Sequence, residues 1–150
     1  MKQTSLLVFA FLAVTLPALA QHGSPGEQQR KDITALISQY SQAREERDTV
    51  LLKRILTSDI DQLVSSGEWR TGINSAVQGM LASSAESPGT RMLTVERLRM
   101  TGPNTALVDC RYDIRNPNGS IRRMWSSFVV VLDKRVWKIS AIRNMLPSGL

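Results

Sequence analysis

Histidine and cysteine are almost missing from this chain: His22 and Cys110 are the only ones in 150 residues. One histidine cannot complete a Ser-His-Asp or Cys-His nucleophile within a single chain, nor can it build a histidine-rich zinc site. One cysteine forbids an intrachain disulfide. Aromatic residues make up 5% of the sequence, and none is interleaved with a dense Lys/Arg stripe, which argues against a nucleic-acid-binding surface. No glycine-rich phosphate loop and no internal repeat is present. No apolar run reaches the roughly 20 residues of a membrane-spanning helix, so no span is expected in the mature chain.

The clearest feature is at the start. Lys2 is followed by an apolar run from Leu6 to Leu16 and then by Ala18-Leu19-Ala20, a small-x-small cleavage pattern. This is the layout of an export signal over residues 1–20, with a mature chain beginning near Gln21. A periplasmic or secreted location is expected. The formal charge of +6 falls to +5 once Lys2 is removed, moderately basic and suited to a solvated surface. About 130 residues remain, enough for one domain with its own core.

Residues 21–31 read as a linker and helix start, with Ser24-Pro25-Gly26-Glu27 matching a capping box. Ile33, Leu36, Ile37 and Tyr40 recur at helical spacing, and Arg44 and Arg47 continue that side. Asp48 is placed to cap a second helix carrying Leu51, Leu52, Ile55 and Leu56. A short strand is expected over Ser58–Val64, and a third helix over Gly72–Ala82. The remainder is strand: Met92–Met100, then Ala106, Val108, Cys110, Tyr112 and Ile114 alternating with polar residues, then Ile121–Leu132 and Val136–Met145. Asn116-Pro117-Asn118-Gly119 and Asp133-Lys134-Arg135 supply the turns. Helices first and a consecutive antiparallel sheet last argue an α+β domain over residues 32–147, with residues 148–150 as a tail.

The order of these signals resembles the nuclear transport factor 2-like superfamily, and within it the SnoaL-like exported domains. The resemblance rests on Ile33-x-x-Leu36-x-x-x-Tyr40, Asp48, Leu56-x-x-Asp59, Gly67-x-x-x-x-Gly72, Ala106-Leu107-Val108 and Trp137-x-Ile139-x-Ala141-x-Arg143. It implies a cone, in which N-terminal helices pack on a curved antiparallel sheet and leave a pocket at the open end. It also implies frequent homodimers through the convex sheet face. The fold hosts isomerases, dehydratases, cyclases and binding or assembly modules, so it does not select among them.

Ketosteroid isomerase shares this fold and pairs a carboxylate base with a tyrosine and a protonated aspartic acid. Tyr40 matches the tyrosine. The base position falls at Val64 and the acid position near Ser126, and neither residue can do that chemistry. Tyr40 and Asp61 are therefore the catalytic candidates that remain. Strand alternation and the resemblance together place Tyr40, Trp69, Tyr112, Ser126 and Arg143 around one cavity, with Trp137, Ile139, Ala141 and Arg143 on a single strand face. Arg143 is the expected anchor for an anionic ligand, or else a partner for Asp61. The expectation is an exported domain that binds a small apolar or anionic ligand or acts as a dimeric accessory module, without metal or cofactor. A cofactor-free isomerase, dehydratase or cyclase is the alternative, and a structural dimerisation module with a filled pocket is the third reading.

Overall fold

The computed structural model describes residues 25–148; the expected export signal and the expected Ser24 cap lie outside the described residues. Helix α1 runs Glu27–Glu46 and α2 Thr49–Ile55. Strands β1 (Leu56–Leu63) and β2 (Trp69–Thr71) follow, then helix α3 (Ile73–Glu86). Strands β3 (Thr90–Gly102), β4 (Thr105–Arg115), β5 (Ile121–Asp133) and β6 (Val136–Met145) complete the chain. The six strands form one curved, unclosed sheet in the order β2-β1-β6-β5-β4-β3. All neighbours are antiparallel except β1 and β6, which are parallel. The expected consecutive antiparallel sheet is thus β3 to β6, and β1 joins its far side through a parallel pairing that strand order in the sequence does not reveal.

Local chemistry accounts for most element ends. Asp48 Oδ1 accepts from the backbone N–H groups of Val50 and Leu51, both at 2.9 Å, and so starts α2. Helix α1 begins two residues later than the sequence reading placed it: its cap is Gly26, whose N–H donates to the Gln29 side chain at 3.0 Å. Gln29 takes the place expected for Glu27. Arg47, at φ 56°, ends the same helix in the left-handed region. Lys134 and Arg135 both have positive φ, as a two-residue hairpin between Asp133 and Val136 demands.

The three helices cover one face of the sheet. Ile33, Leu36, Ile37 and Tyr40 of α1 pack with Val108, Phe128, Val130, Ile139 and Ile142 in a single buried core. Tyr40 meets Phe128 edge to face at 5.3 Å between ring centres. Cys110 is fully buried in this core. Burial, then the neighbouring Asp109 and Glu96 charges, push its thiol up to about 12, so it packs as a small hydrophobe rather than reacting.

One irregularity decides which side chains reach the concave face. On β6, Trp137 and Ile139 point into the core, but Val130 pairs with Ile139 and Val129 with Ala141, leaving Ser140 as an extra residue. Past this bulge the alternation inverts: Ile142 is fully buried, and Ala141 and Arg143 turn to the outer face. Trp137, Ile139, Ala141 and Arg143 therefore do not share one face.

Candidate functional site

At the mouth of the cone, between the C-terminal half of α3 and the concave ends of β1, β2, β4 and β5, lies a pocket of about 210 Å³. One wall is apolar: Tyr112, Ile114 and Met124 form a small buried cluster apart from the main core. The lining is also cationic: the exposed Arg122 belongs to it, and Arg44, Arg70 and Arg91 are buried in it. These three arginines are 6%, 7% and 8% exposed, so their charges are almost wholly out of water.

Each arginine reaches the pocket for a local reason. Arg44 is four residues beyond Tyr40 on the buried stripe of α1 and donates to the Tyr40 hydroxyl at 3.2 Å. Its Nη2 donates to the Met80 carbonyl and the Ser84 hydroxyl at 3.1 and 3.2 Å. Arg70 sits on the short strand β2 opposite Gln62, which is also buried and faces the pocket. Its Nε pairs with Glu68 at 2.8 Å and its Nη2 with the Ser83 hydroxyl at 3.0 Å. Gly79 makes room for it, because a Cβ there would overlap the Arg70 side chain. Arg91 opens β3 on the same face as Ile114, its cross-strand partner. Its Nη groups donate to the carbonyls of Gly89, Ser83 and Ser87 at 3.0, 3.3 and 2.8 Å.

The partners leave the site unfinished. Arg44 Nε, Arg70 Nη1 and Arg91 Nε are buried and have no hydrogen-bond partner among the described residues, and the same is true of Gln62 Oε1. Glu68 and Glu86 also line the pocket. Glu68 is held below the usual carboxylate range by its hydrogen bond from Arg70, then by that arginine's charge. Tyr40 has its hydroxyl pushed above the ordinary tyrosine value by burial, with Arg44 pulling the other way. It is neutral at physiological pH and acts here as a hydrogen-bond partner of Arg44.

The residues singled out from the sequence divide into two groups. Tyr112 lines the pocket, and Tyr40 supports it through Arg44. Ser126 is buried beside it and donates to Asn144 at 2.7 Å, and Asn144 lines the pocket. Trp69, Asp61 and Arg143 stand elsewhere, together on the outer face. Arg143 donates to both Asp61 carboxylate oxygens at 2.9 and 3.1 Å, and its guanidinium lies 4.7 Å from the centre of the Trp69 ring. Trp69 is 55% exposed. The expectation of one cavity shared by Tyr40, Trp69, Tyr112, Ser126 and Arg143 is corrected in this respect. The Ser140 bulge turns Arg143 outward, and the β1–β2 register pairs Arg70 with Gln62 on the inside and Trp69 with Leu63 on the outside. Val64 lines the pocket and Ser126 adjoins it, so neither ketosteroid-isomerase position holds a carboxylate here.

The three buried arginines of the pocket, Arg44, Arg70 and Arg91, are not among the site residues expected from the sequence. Arg44 had a signal, since it lies on the same helical face as Tyr40. Arg91 had one as well, in period two with Leu93 and Val95. Arg70 had none beyond its neighbour Trp69.

No protein-family model matches the chain, and no curated protein matches it. Solved structures do. An NTF-2-like protein of unknown function from Shewanella oneidensis superposes with a TM-score of 0.66 at 18% identity, over 77% of this chain and 98% of that one. The chain has the nuclear transport factor 2-like fold. A domain of unknown function with a cystatin-like fold from Nostoc punctiforme gives 0.74 at 15% identity, over 84% and 82% of the two chains. A nuclear transport factor 2-like superfamily protein from Salmonella enterica gives 0.66 at 15% identity, over 80% and 92%. At these identities the likeness extends to the fold and no further.

Proposed function

We propose that the nuclear transport factor 2-like domain described here is an exported small-molecule-binding module whose binding site is the pocket at the mouth of the cone. The observation that carries this reading is an open enclosure whose lining includes three buried arginines, two of them without an ion-pair partner among the described residues. Burying a charge without a counter-charge costs several kcal/mol, and a bound molecule that lies against the guanidinium groups offsets that cost. The 210 Å³ volume falls below the roughly 300 Å³ at which pockets for drug-sized ligands begin, so the ligand is small. Export rests on Lys2, the apolar run and Ala18-Leu19-Ala20.

Catalysis is the less favoured reading. Proton abstraction needs a base within reach of the bound molecule. Asp61 is on the opposite face of the sheet and engaged by Arg143, Glu68 is engaged by Arg70, and Glu86 is exposed to solvent. A dimer through the outer sheet face draws support from Trp125 and Met145, which pair across β5 and β6 and are 39% and 45% exposed.

Native mass spectrometry of the protein purified from its own host tests the binding reading, with Ser66→Trp at the exposed pocket rim as a plugged control. A small noncovalent adduct on the native chain, lost from the plugged variant, is the expected result. An adduct that survives the plug, or none in either sample, overturns the assignment. N-terminal sequencing of the exported fraction should begin near Gln21, and an intact Met1 there would sink the export proposal.

A further inference from the structure

The three mouth arginines contain more positive charge than their surroundings answer. Arg70 has Glu68 as an ion-pair partner. Arg44 and Arg91 form no ion pair among the described residues: Arg44 donates to a phenol, a carbonyl and a hydroxyl, and Arg91 to three carbonyls. Glu45 lies near Arg91 but accepts from its backbone N–H, at 3.2 Å, rather than from its guanidinium. Two guanidinium charges are thus more than nine-tenths buried and bonded only to neutral groups. An isolated buried charge costs several kcal/mol after relaxation, and an arginine cannot shed its charge by losing a proton.

The three guanidinium groups also converge. Arg70 Nη2 and Arg91 Nη2 both bond Ser83, one through its hydroxyl and the other through its carbonyl, and Arg44 Nη2 bonds the adjacent Ser84. The end of α3 is therefore ringed by three cations. Part of this arrangement serves the helix, whose final carbonyls carry partial negative charge and accept from arginine. That role belongs to Arg91, through the Ser83 and Ser87 carbonyls, and neither it nor the Met80 and Ser84 bonds of Arg44 supplies a counter-charge. Tyr112, Ile114 and Met124 lie in the same pocket and give it an apolar surface beside the cations.

We infer that the pocket recognises a small amphipathic anion, whose oxyanion group sits among Arg44, Arg70 and Arg91 and whose apolar body lies on Tyr112, Ile114 and Met124. This inference rests on the mouth pocket being the binding site and adds the ligand class. The head group is a carboxylate or phosphate, the two oxyanions that guanidinium binds with charge-assisted hydrogen bonds. The Glu68 and Glu86 carboxylates at the rim disfavour highly charged anions and match a ligand of low net charge.

The test uses the mature full chain, titrated with phenylacetate, with its neutral analogue phenylacetamide and with inorganic phosphate. Binding is followed by calorimetry and by the arginine Nε–H resonances in proton–nitrogen NMR. Phenylacetate is expected to bind saturably, at least about tenfold more tightly than the amide, and to shift the Arg44 and Arg91 Nε–H signals. Phosphate that displaces phenylacetate from the same signals also supports the inference and identifies phosphate as an accepted head group. Equal binding of acid and amide overturns anion recognition and leaves the pocket standing as a binding site. Arg44→Met and Arg91→Met supply the second measurement. If the arginines await an anion, each variant loses phenylacetate affinity by about tenfold or more while the unliganded protein keeps or gains thermal stability, because an uncompensated buried charge is gone. If both variants are destabilised and neither anion shifts the Nε–H signals of the native protein, the arginines are caps for α3 and the inference fails.

Discussion

Two arginine-centred groups sit on opposite faces of the same sheet, and they differ in completeness. On the outer face, Arg143 has a bidentate carboxylate, two backbone carbonyls and an indole ring, yet it remains about a third exposed to water. On the concave face, Arg44, Arg70 and Arg91 are more than nine-tenths buried, and each keeps an unpartnered N–H. A half-exposed pair that is internally satisfied asks nothing of a ligand and contributes little to stability. Buried cations with unspent donors hold their energy in reserve for something else. Bonding and burial together distinguish a structural arginine from a binding one; residue type and strand position alone do not.

The largest effect on this contrast should come from the floor of the concave group. Phe128 is fully buried and supports Tyr40, which in turn holds Arg44. Phe128→Ala should cost about 3–5 kcal/mol in urea unfolding. It should also disturb the Arg44 side-chain resonances while leaving those of Arg143 in place. A loss under about 1 kcal/mol, or an Arg143 signal that moves as far as that of Arg44, would show that the two faces are not independent.

A smaller and more pointed effect is expected at Gly79. Glycine in a helix interior normally costs about 1 kcal/mol relative to alanine, so Gly79→Ala should be stabilising. In α3 an added Cβ would overlap the Arg70 side chain. The guanidinium would have to swing out and give up its bonds to Glu68 and Ser83. Gly79→Ala should therefore give no gain in the native background and recover a gain of about 1 kcal/mol when combined with Arg70→Ala. Equal gains in both backgrounds would mean that Arg70 does not occupy the space beside Gly79.

Much of the fold was legible because periodicity is a local property. The buried stripe of α1, the cap at Asp48 and the alternation of Ala106 to Ile114 all follow from spacing within a single element. The parallel β1–β6 pairing was not legible, since it joins residues about eighty positions apart and no turn dictates it. The candidate site was half legible, and two local features explain the other half. Ser140 inserts a bulge into β6, and strict alternation carried past it assigns Arg143 to the wrong face. Arg70 and Trp69 differ by one position, and only the pairing of Gln62 with Arg70 decides which of them turns inward. Tyr40 was read correctly as lying on the buried face, but its use as a support for Arg44 depends on a contact between successive helical turns that also involves α3.

The smallest expected effect lies on the outer face. Asp61→Asn removes the charge that Arg143 receives but keeps the side chain's shape and one acceptor oxygen. Arg143 retains the Asp61 and Ile142 backbone carbonyls at 3.3 and 2.9 Å, and its contact with the Trp69 ring. The two side chains are 34% and 37% exposed, so water and salt already screen their attraction. The loss should be about 0.2–1 kcal/mol at low ionic strength, and it should shrink further at 1 M salt, where the screening length is about 3 Å. Ligand affinity at the mouth should be unchanged, because the carboxylate faces the other side of the sheet. A loss above about 2 kcal/mol that salt does not reduce would place the pair among buried ion pairs. A drop in phenylacetate affinity would carry the outer group into the binding site and erase the distinction between the two faces.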